Sequence, residues 1–349
     1  MNAPDPSPIG VLVVGLGFVA GGYLEHFSHS NRTHPVIGAD LDPDARQRAT
    51  ASYGLDASIE RYQDGLDRDD IHLVVVCTPH HLHHPIVTEA LRAGKDVICE
   101  KPIAISTEEA DQMMDLATQL GRTLLVSLDM RYGPDALKLQ QLIRCDTLGR
   151  IFWARASYLG YETTRFGDPT NWRGDLERAG GGVLLDGGYH VVDLLNTYLG
   201  PAKSVQAQGG RLVVEAANKG EDNVGLLVEY ESGAVANLVA SFTTRNVGCD
   251  EGPTLFLSMD LSGTDGTVFS GYDSTRLKRH FDVVTTTKRE EIDLSSIDAP
   301  AKNDHFLDCV TKGETPLATA LEARNAVAVV EAAYESMRTG SRVMVAWRG

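Results

Sequence analysis

The stretch VLVVGLGFVA, residues 11–20, joins four apolar residues to a Gly-x-Gly-x-x-Ala turn. A short continuous apolar run reads as a strand buried on both faces. In such a turn Gly15 supplies the tight bend, Gly17 lets the backbone approach a pyrophosphate, and Ala20 keeps the following helix close to the strand. Residues 18–28 are expected to form that helix, with Leu24 and Phe27 on one face. Taken singly, the motif is also what any glycine turn looks like. The second strand, PVIGAD (35–40), adds specificity. It ends in Asp40, 25 residues after Gly15, where dinucleotide folds place an acid on the adenosine ribose hydroxyls. Asp40 and Asp42 would repel a 2′-phosphate and no Arg follows at once, which favours NAD over NADP; Arg46 argues the other way.

The same rhythm continues to about residue 130. HLVVVCTP (72–79), DVICEKP (96–102) and TLLVSL (123–128) read as strands. Residues 43–53, 84–94 and 106–121 read as helices, the last opening on a Ser-x-x-Glu capping box. Continuous apolar strands alternating with helices give a Rossmann-type, doubly wound parallel sheet covered on both faces. The acid-rich DGLDRDDIH (64–72) reads as a solvated loop. Beyond residue 130 the pattern changes. A helix (134–145) and a glycine-rich helix precede a hairpin over 223–242, with its turn at Glu231-Ser232-Gly233, and further strands in TLFLSMDLSG and TVFSG. Two helical stretches (303–312 and 317–338) and a last strand, RVMVAW, close the chain; Phe306 and the apolar positions of 317–338 read as core. Grouped strands with helices apart indicate an α+β domain on a largely antiparallel, open-faced sheet. The expected fold class is therefore α/β, with domains at 1–130 and 131–349.

Composition narrows the partners. The 349 residues carry a net charge of −16, which disfavours a phosphate backbone as ligand and so a nucleic-acid partner. No apolar run approaches the roughly 18 residues of a membrane span. The start, MNAPDPSP, lacks the basic and apolar regions of a signal peptide and reads as a short disordered tail. The five cysteines, Cys77, Cys99, Cys145, Cys249 and Cys309, form no C-x-x-C pair, which fits reduced thiols in the cytoplasm and no zinc framework. Cys77 and Cys99 end apolar runs and are expected to be buried.

Three short stretches carry chemistry. CEKP (99–102) puts Lys101 at the carboxyl end of a strand, where open α/β sheets bind ligands. A lysine there can hydrogen-bond a reacting alcohol oxygen and stabilise developing alkoxide charge, although a lysine at a strand end is by default only solvated. AGGGVLLDGGYH (179–190) sets Asp186 and His190 at i and i+4, on one face of a helix, as an acid and a candidate general base. A buried histidine satisfied by its neighbour would look the same. Its five glycines suggest a backbone that something bulky approaches closely. The histidines at 80, 81, 83 and 84 are adjacent enough to point in different directions, so no metal is expected there.

GLGFVA, CTPHHLH (77–83), CEKP, Trp172-Arg173 and AGGGVLLDGGYHVVDLL together resemble the glucose–fructose oxidoreductase / inositol dehydrogenase / rhizopine-catabolism (Gfo/Idh/MocA) family, in order and spacing, from residue 9 to about 345. The resemblance implies that Lys101, Asp186 and His190 are catalytic. It implies that Gly15, Gly17, Phe18, Val19, Asp40, Thr78, Pro79, His83, Glu100 and Lys101 line an NAD site, with Trp172 and Arg173 on its nicotinamide side. Arg131 looks like a substrate-side residue, and Tyr158, Tyr161 and Arg165 fall in the variable substrate-selecting region. His80 stands where the family usually has Asn. The expected activity is hydride transfer between NAD and a secondary alcohol of a sugar, inositol or related polyol. Lys101 and His190 are then expected to converge beside the nicotinamide. A glycosidase of the same fold using transient oxidation, and a cofactor-binding regulatory protein without turnover, are the alternatives. A homodimer or homotetramer through the open sheet face is expected.

Overall fold

The computed structural model describes residues 8–168, 170–214, 220–245, 254–273 and 278–349. The N-terminal tail as far as residue 7, and Cys249, lie outside the described residues. The chain forms two compact units. Unit 1 holds the described residues up to 104, with 108–127 and 300–320; unit 2 holds 105–107, 128–299 and 321–349.

Unit 1 is built on six parallel strands: β1 (Ile9–Val14), β2 (Thr33–Ala39), β3 (Ala57–Ile59), β4 (Leu73–Val76), β5 (Asp96–Glu100) and β6 (Leu124–Ser127). Their order is β3-β2-β1-β4-β5-β6, all pairs parallel, as in dinucleotide-binding sheets. The order reverses between β1 and β4, and Gly15 and Thr78 follow these two strands. Val11, Leu12, Val13 and all of β4 are fully buried, which is why their sequences show no alternation. The helix after the glycine turn begins at Ala20, two residues later than expected: Phe18 and Val19 lie in tighter i→i−3 turns, with the Ala20 N–H donating to Gly17 O and the Gly21 N–H to Phe18 O. The acid-rich stretch is not a plain loop. Tyr62–Leu66 is a short helix, and Leu66 and Ile71 are buried. A Cβ on Gly65 would lie 2.8 Å from Leu12 Cδ2, so this helix seats directly on β1. Two apolar residues among many acids carry no readable period; contact with the sheet decides their burial. The helix Lys302–Lys312 also belongs here: Arg32 meets Asp308 at 2.6 Å and Lys302 donates to Ser127 Oγ at 2.9 Å.

Unit 2 is a nine-stranded sheet of order β14-β13-β12-β11-β7-β10-β9-β8-β15. Its strands are β7 (Ile151–Tyr161), β8 (Ala202–Gly210), β9 (Asn223–Tyr230), β10 (Val235–Ser241), β11 (Thr254–Gly263), β12 (Gly266–Asp273), β13 (Lys278–Thr285), β14 (Arg289–Glu291) and β15 (Val343–Met344). All pairs are antiparallel except β7 with β10. RVMVAW therefore contributes only two residues to the sheet. One face buries Ala154, Ala156, Leu226, Val228 and Leu238; the helix Tyr189–Leu199 and, from Leu321 on, the helix Ala320–Thr339 belong to this unit. The other face carries Arg155 against Asp260 (3.0 Å) and Ser157 against Ser258 (2.7 Å), with Trp153, Leu227, Val239 and Phe269 exposed. Among the described residues no helix is long and apolar enough to cross a membrane.

Candidate active site

In unit 1 the glycine turn and two strand ends form one cluster. Gly15 has φ +87°, and a Cβ there would lie 2.8 Å from Cys77 O, so only glycine fits. Gly17 faces open space. Asp40 accepts the Leu16 N–H (2.8 Å) and the Asp42 N–H (2.9 Å), which fixes its carboxylate beside the turn. Arg46 turns its guanidinium to the carbonyls of Asp40 and Leu41, at 2.6 and 3.2 Å. Phe18 is 95% exposed and Val19 is also exposed. Thr78 Oγ1 is buried with no hydrogen-bond partner among the described residues. An open glycine backbone at a helix start, a fixed acid and an unsatisfied hydroxyl fit a dinucleotide.

Lys101 is fixed on both sides. Glu100 accepts the Lys101 N–H (3.2 Å) and the Tyr23 hydroxyl (2.7 Å). On the other side His83 lies with its ring nitrogens 2.8 Å from Pro102 O and 2.9 Å from Thr78 O. His83 has no exposed surface, and its burial lowers its pKa. The sequence-based expectation put His83 and Glu100 against the cofactor. In the structure both tie the strand end that bears Lys101. Of the expected buried thiols, Cys99 is buried and Cys77 only partly so; with Cys145 and Cys309 they are free. The rings of His80 and His83 are 5.7 Å apart, and among the described residues no group of three or more His, Cys, Asp or Glu is placed to hold a metal.

In unit 2 the glycine-rich stretch is not one helix. Leu176–Ala179 ends at Gly180, which is left-handed at φ +77°. Leu184–Gly188 is a π-helical turn that leads into the α-helix Tyr189–Leu199. Such turns insert a residue and recur at functional sites. The glycines are contact points: a Cβ on Gly182 would strike the Glu221 backbone, and one on Gly187 the Tyr158 ring. Glu221 secures the start of the turn. Its carboxylate accepts the N–H of Gly182 (3.1 Å), the N–H of Leu184 (2.8 Å) and the Tyr334 hydroxyl (3.1 Å). Burial pushes the Glu221 carboxyl up, against these hydrogen bonds, which favour its charge.

On this support Asp186 accepts from Arg173 Nε at 3.0 Å, and Arg173 stacks 4.2 Å from the Trp172 ring centre. His190 Nδ1 lies 3.5 Å from Asp129 Oδ1. Asp186, expected to orient His190 or the substrate, meets Arg173, and the acid recorded beside His190 Nδ1 is Asp129. Tyr158 stands close by: burial raises its pKa, and the charges of Asp186, Glu162 and Asp129 raise it further. Arg165 pairs with Glu162 at 2.7 Å, and Arg245 sits 4.9 Å over Tyr161. Arg131 is elsewhere engaged. It is buried, grips Asp193 at 2.6 and 2.8 Å and reaches Glu322 at 2.7 Å. Burial disfavours its charge, but these acids more than offset that and raise its pKa. Sequence reading missed Asp129 and Glu221. Asp129 lay within reach of the rule that found Lys101, since it follows a strand end by two residues; Glu221 carried no local signal.

A parallel sheet of this order, carrying the glycine turn and a fixed acid, defines a Rossmann-type dinucleotide-binding unit, followed by an α+β unit. The chain belongs to the GFO/IDH/MocA family: residues 9–128 match its model for the oxidoreductase family, NAD-binding Rossmann fold, and residues 136–269 match the GFO/IDH/MocA C-terminal domain. It is similar to levoglucosan dehydrogenase of Pseudarthrobacter phenanthrenivorans, 28% identical over 67% of this chain and 64% of that protein. It is also 28% identical to D-glucoside 3-dehydrogenase of Escherichia coli, over 98% of this chain and 99% of the relative. A solved structure of levoglucosan dehydrogenase in complex with NADH superposes with a TM-score of 0.84, at 21% identity, covering 98% of this chain and 100% of that one.

Proposed function

We propose that the protein is an NAD-dependent dehydrogenase that oxidises a secondary alcohol of a sugar or related polyol. The observation that carries this reading is Lys101, held on both sides by Glu100 and His83 in the same unit as the glycine turn. Unit 1 is the cofactor unit: Gly15, Gly17, Phe18, Val19, Asp40, Thr78 and Pro79 would hold NAD; the family resemblance adds Trp172 and Arg173. Bound NAD supplies a hydride acceptor. Lys101 hydrogen-bonds the alcohol oxygen and stabilises its developing negative charge. His190 takes the hydroxyl proton, and Asp129 stabilises the imidazolium that results. Asp186, fixed by Arg173, accepts from a substrate hydroxyl and orients it toward His190. Tyr161 is a further substrate contact. Arg131 acts as an internal strut between Asp193 and Glu322. The free thiols suit the cytoplasm, and the open sheet face with Trp153, Leu227, Val239 and Phe269 suits association into a dimer or tetramer.

A screen of sugars, anhydrosugars, polyols and glycosides against NAD and NADP, read by absorbance of the reduced cofactor, tests the reading. NADH is expected from at least one sugar, with NAD preferred because of Asp40. Lys101→Ala is expected to lower kcat roughly 10²–10³-fold, as for loss of an oxyanion donor. Full activity in that variant would refute the assignment. Release of nitrophenol from a nitrophenyl glycoside without net NADH would favour the glycosidase instead.

A further inference from the structure

A cavity of about 290 Å³ opens in unit 2 beside the proposed base. Asp129, the acid 3.5 Å from His190, forms part of its wall. Opposite lies β11. Leu255, Leu257, Met259 and Leu261 alternate along it and so share the face turned to the helices. Their burial falls along the strand: Leu261 and Met259 are buried, whereas Leu257 and Leu255 are only half-buried. The helix Tyr189–Leu199 contributes Val191 and Leu194 to the cavity but leaves this apolar ledge incompletely covered. At the rim Arg279 lies 4.7 Å over the Tyr272 ring and 3.2 Å from Asp135.

We propose that this cavity is a second substrate subsite that takes a neutral, apolar or aromatic aglycone, so that the preferred substrate is a glycoside rather than a free sugar. The inference rests on the dehydrogenase reading above. Three observations select the occupant. The volume lies at the lower end of ligand pockets, about 300 Å³, enough for one ring-sized group. Val191, Leu194, Leu255 and Leu257 give the wall a broad apolar side with the Tyr272 ring beside it, which suits a hydrophobic ring; the serines that complete the lining include Ser270, whose hydroxyl already donates to Met259 O. The charge is unfavourable to anions, because Asp129 and Asp135 face a single Arg279 that Asp135 already engages. A sugar phosphate or nucleotide sugar would meet net repulsion there.

The test uses methyl, phenyl and 4-carboxyphenyl glycosides of glucose, galactose and mannose with the purified enzyme and NAD. Phenyl glycosides are expected to exceed methyl glycosides in kcat/KM by 10-fold or more. The 4-carboxyphenyl compound is expected to lose that advantage in the wild-type protein. Leu257→Trp, which fills the cavity, is expected to collapse the phenyl-to-methyl ratio toward unity. Equal kcat/KM for phenyl and methyl glycosides, an equally good or better 4-carboxyphenyl substrate, or a phenyl preference that survives L257W would overturn the subsite while leaving the dehydrogenase standing. Absence of NADH from every sugar, anhydrosugar, polyol and glycoside would overturn the dehydrogenase reading itself.

Discussion

Replacing Glu221 probes how the site helix is held. Its carboxylate is the acceptor for two backbone N–H groups at the start of the π-helical turn, those of Gly182 and Leu184, and for the Tyr334 hydroxyl. Glu221→Ala leaves all three donors without this partner inside the protein. Each unsatisfied buried donor costs about 1–3 kcal/mol. The variant no longer buries a carboxylate, which offsets part of that loss. The expected net cost is roughly 3–5 kcal/mol, in line with breaking a buried charged network. At about 2–4 °C per kcal/mol for a unit of this size, the melting temperature should fall by roughly 6–20 °C. Glu221→Gln keeps one oxygen for Leu184 and Tyr334 but turns an amide NH₂ toward the Gly182 N–H, so it should fall between the two, at about 1–3 kcal/mol. Thermal unfolding followed by far-UV circular dichroism, with kcat measured in parallel, reads both effects. Gly182→Ala should be at least as damaging as E221A, because its methyl group meets the Glu221 backbone, which cannot swing aside as a side chain can. An alanine variant of Glu221 that melts with the wild type and keeps its kcat would refute the view that this acid organises the site helix.

Two other perturbations test neighbouring parts of the molecule. His83→Ala removes the ring that lies between the Thr78 and Pro102 carbonyls, one of which accepts the single N–H of the neutral imidazole, and should lower kcat more than it raises KM, since it acts on the placement of Lys101; His83→Asn, which restores a donor, should recover part of the loss, and an alanine variant with wild-type kcat would count against the tie. Asp222 gives a pH signature. Burial pushes its carboxyl up, but the N–H groups of Leu212, Val214 and Val213 hold it below the usual carboxylate range. A depressed folded-state pKa contributes stability that is present above the unfolded value of about 3.8 and lost as pH falls through the lower folded value. Melting curves should therefore fall more steeply on acidification in the wild type than in Asp222→Asn, and parallel acid limbs would exclude Asp222 as a source.

The first half of the chain was legible because its signals are local. VLVVG, LVVV and VICE are apolar on both faces, so their strands and the glycine turn could be placed from residue order before any contact was known. The hairpin over 223–242 was equally plain, with Gly233 at φ +82° in its turn. The buried helix at Tyr62–Leu66 was not, because its sequence is as polar as a loop and only its seat on Leu12 makes it part of the core.

The residue types of the site were also present in the sequence: Lys101 after a strand, Asp186 and His190 on a helix, Asp40 after the second strand. Their partners were not. An i, i+4 spacing suggests Asp186 beside His190, yet folding brings Arg173 to Asp186 and Asp129 to His190. The same holds for Arg131, whose pairing with Asp193 and Glu322 no local signal announces. Backbone periodicity follows from bonds between near neighbours, so it is written along the chain. Which charges meet depends on how helices and strands far apart in sequence pack, and the π-helical turn Leu184–Gly188 departs from the regular spacing on which an i, i+4 reading rests.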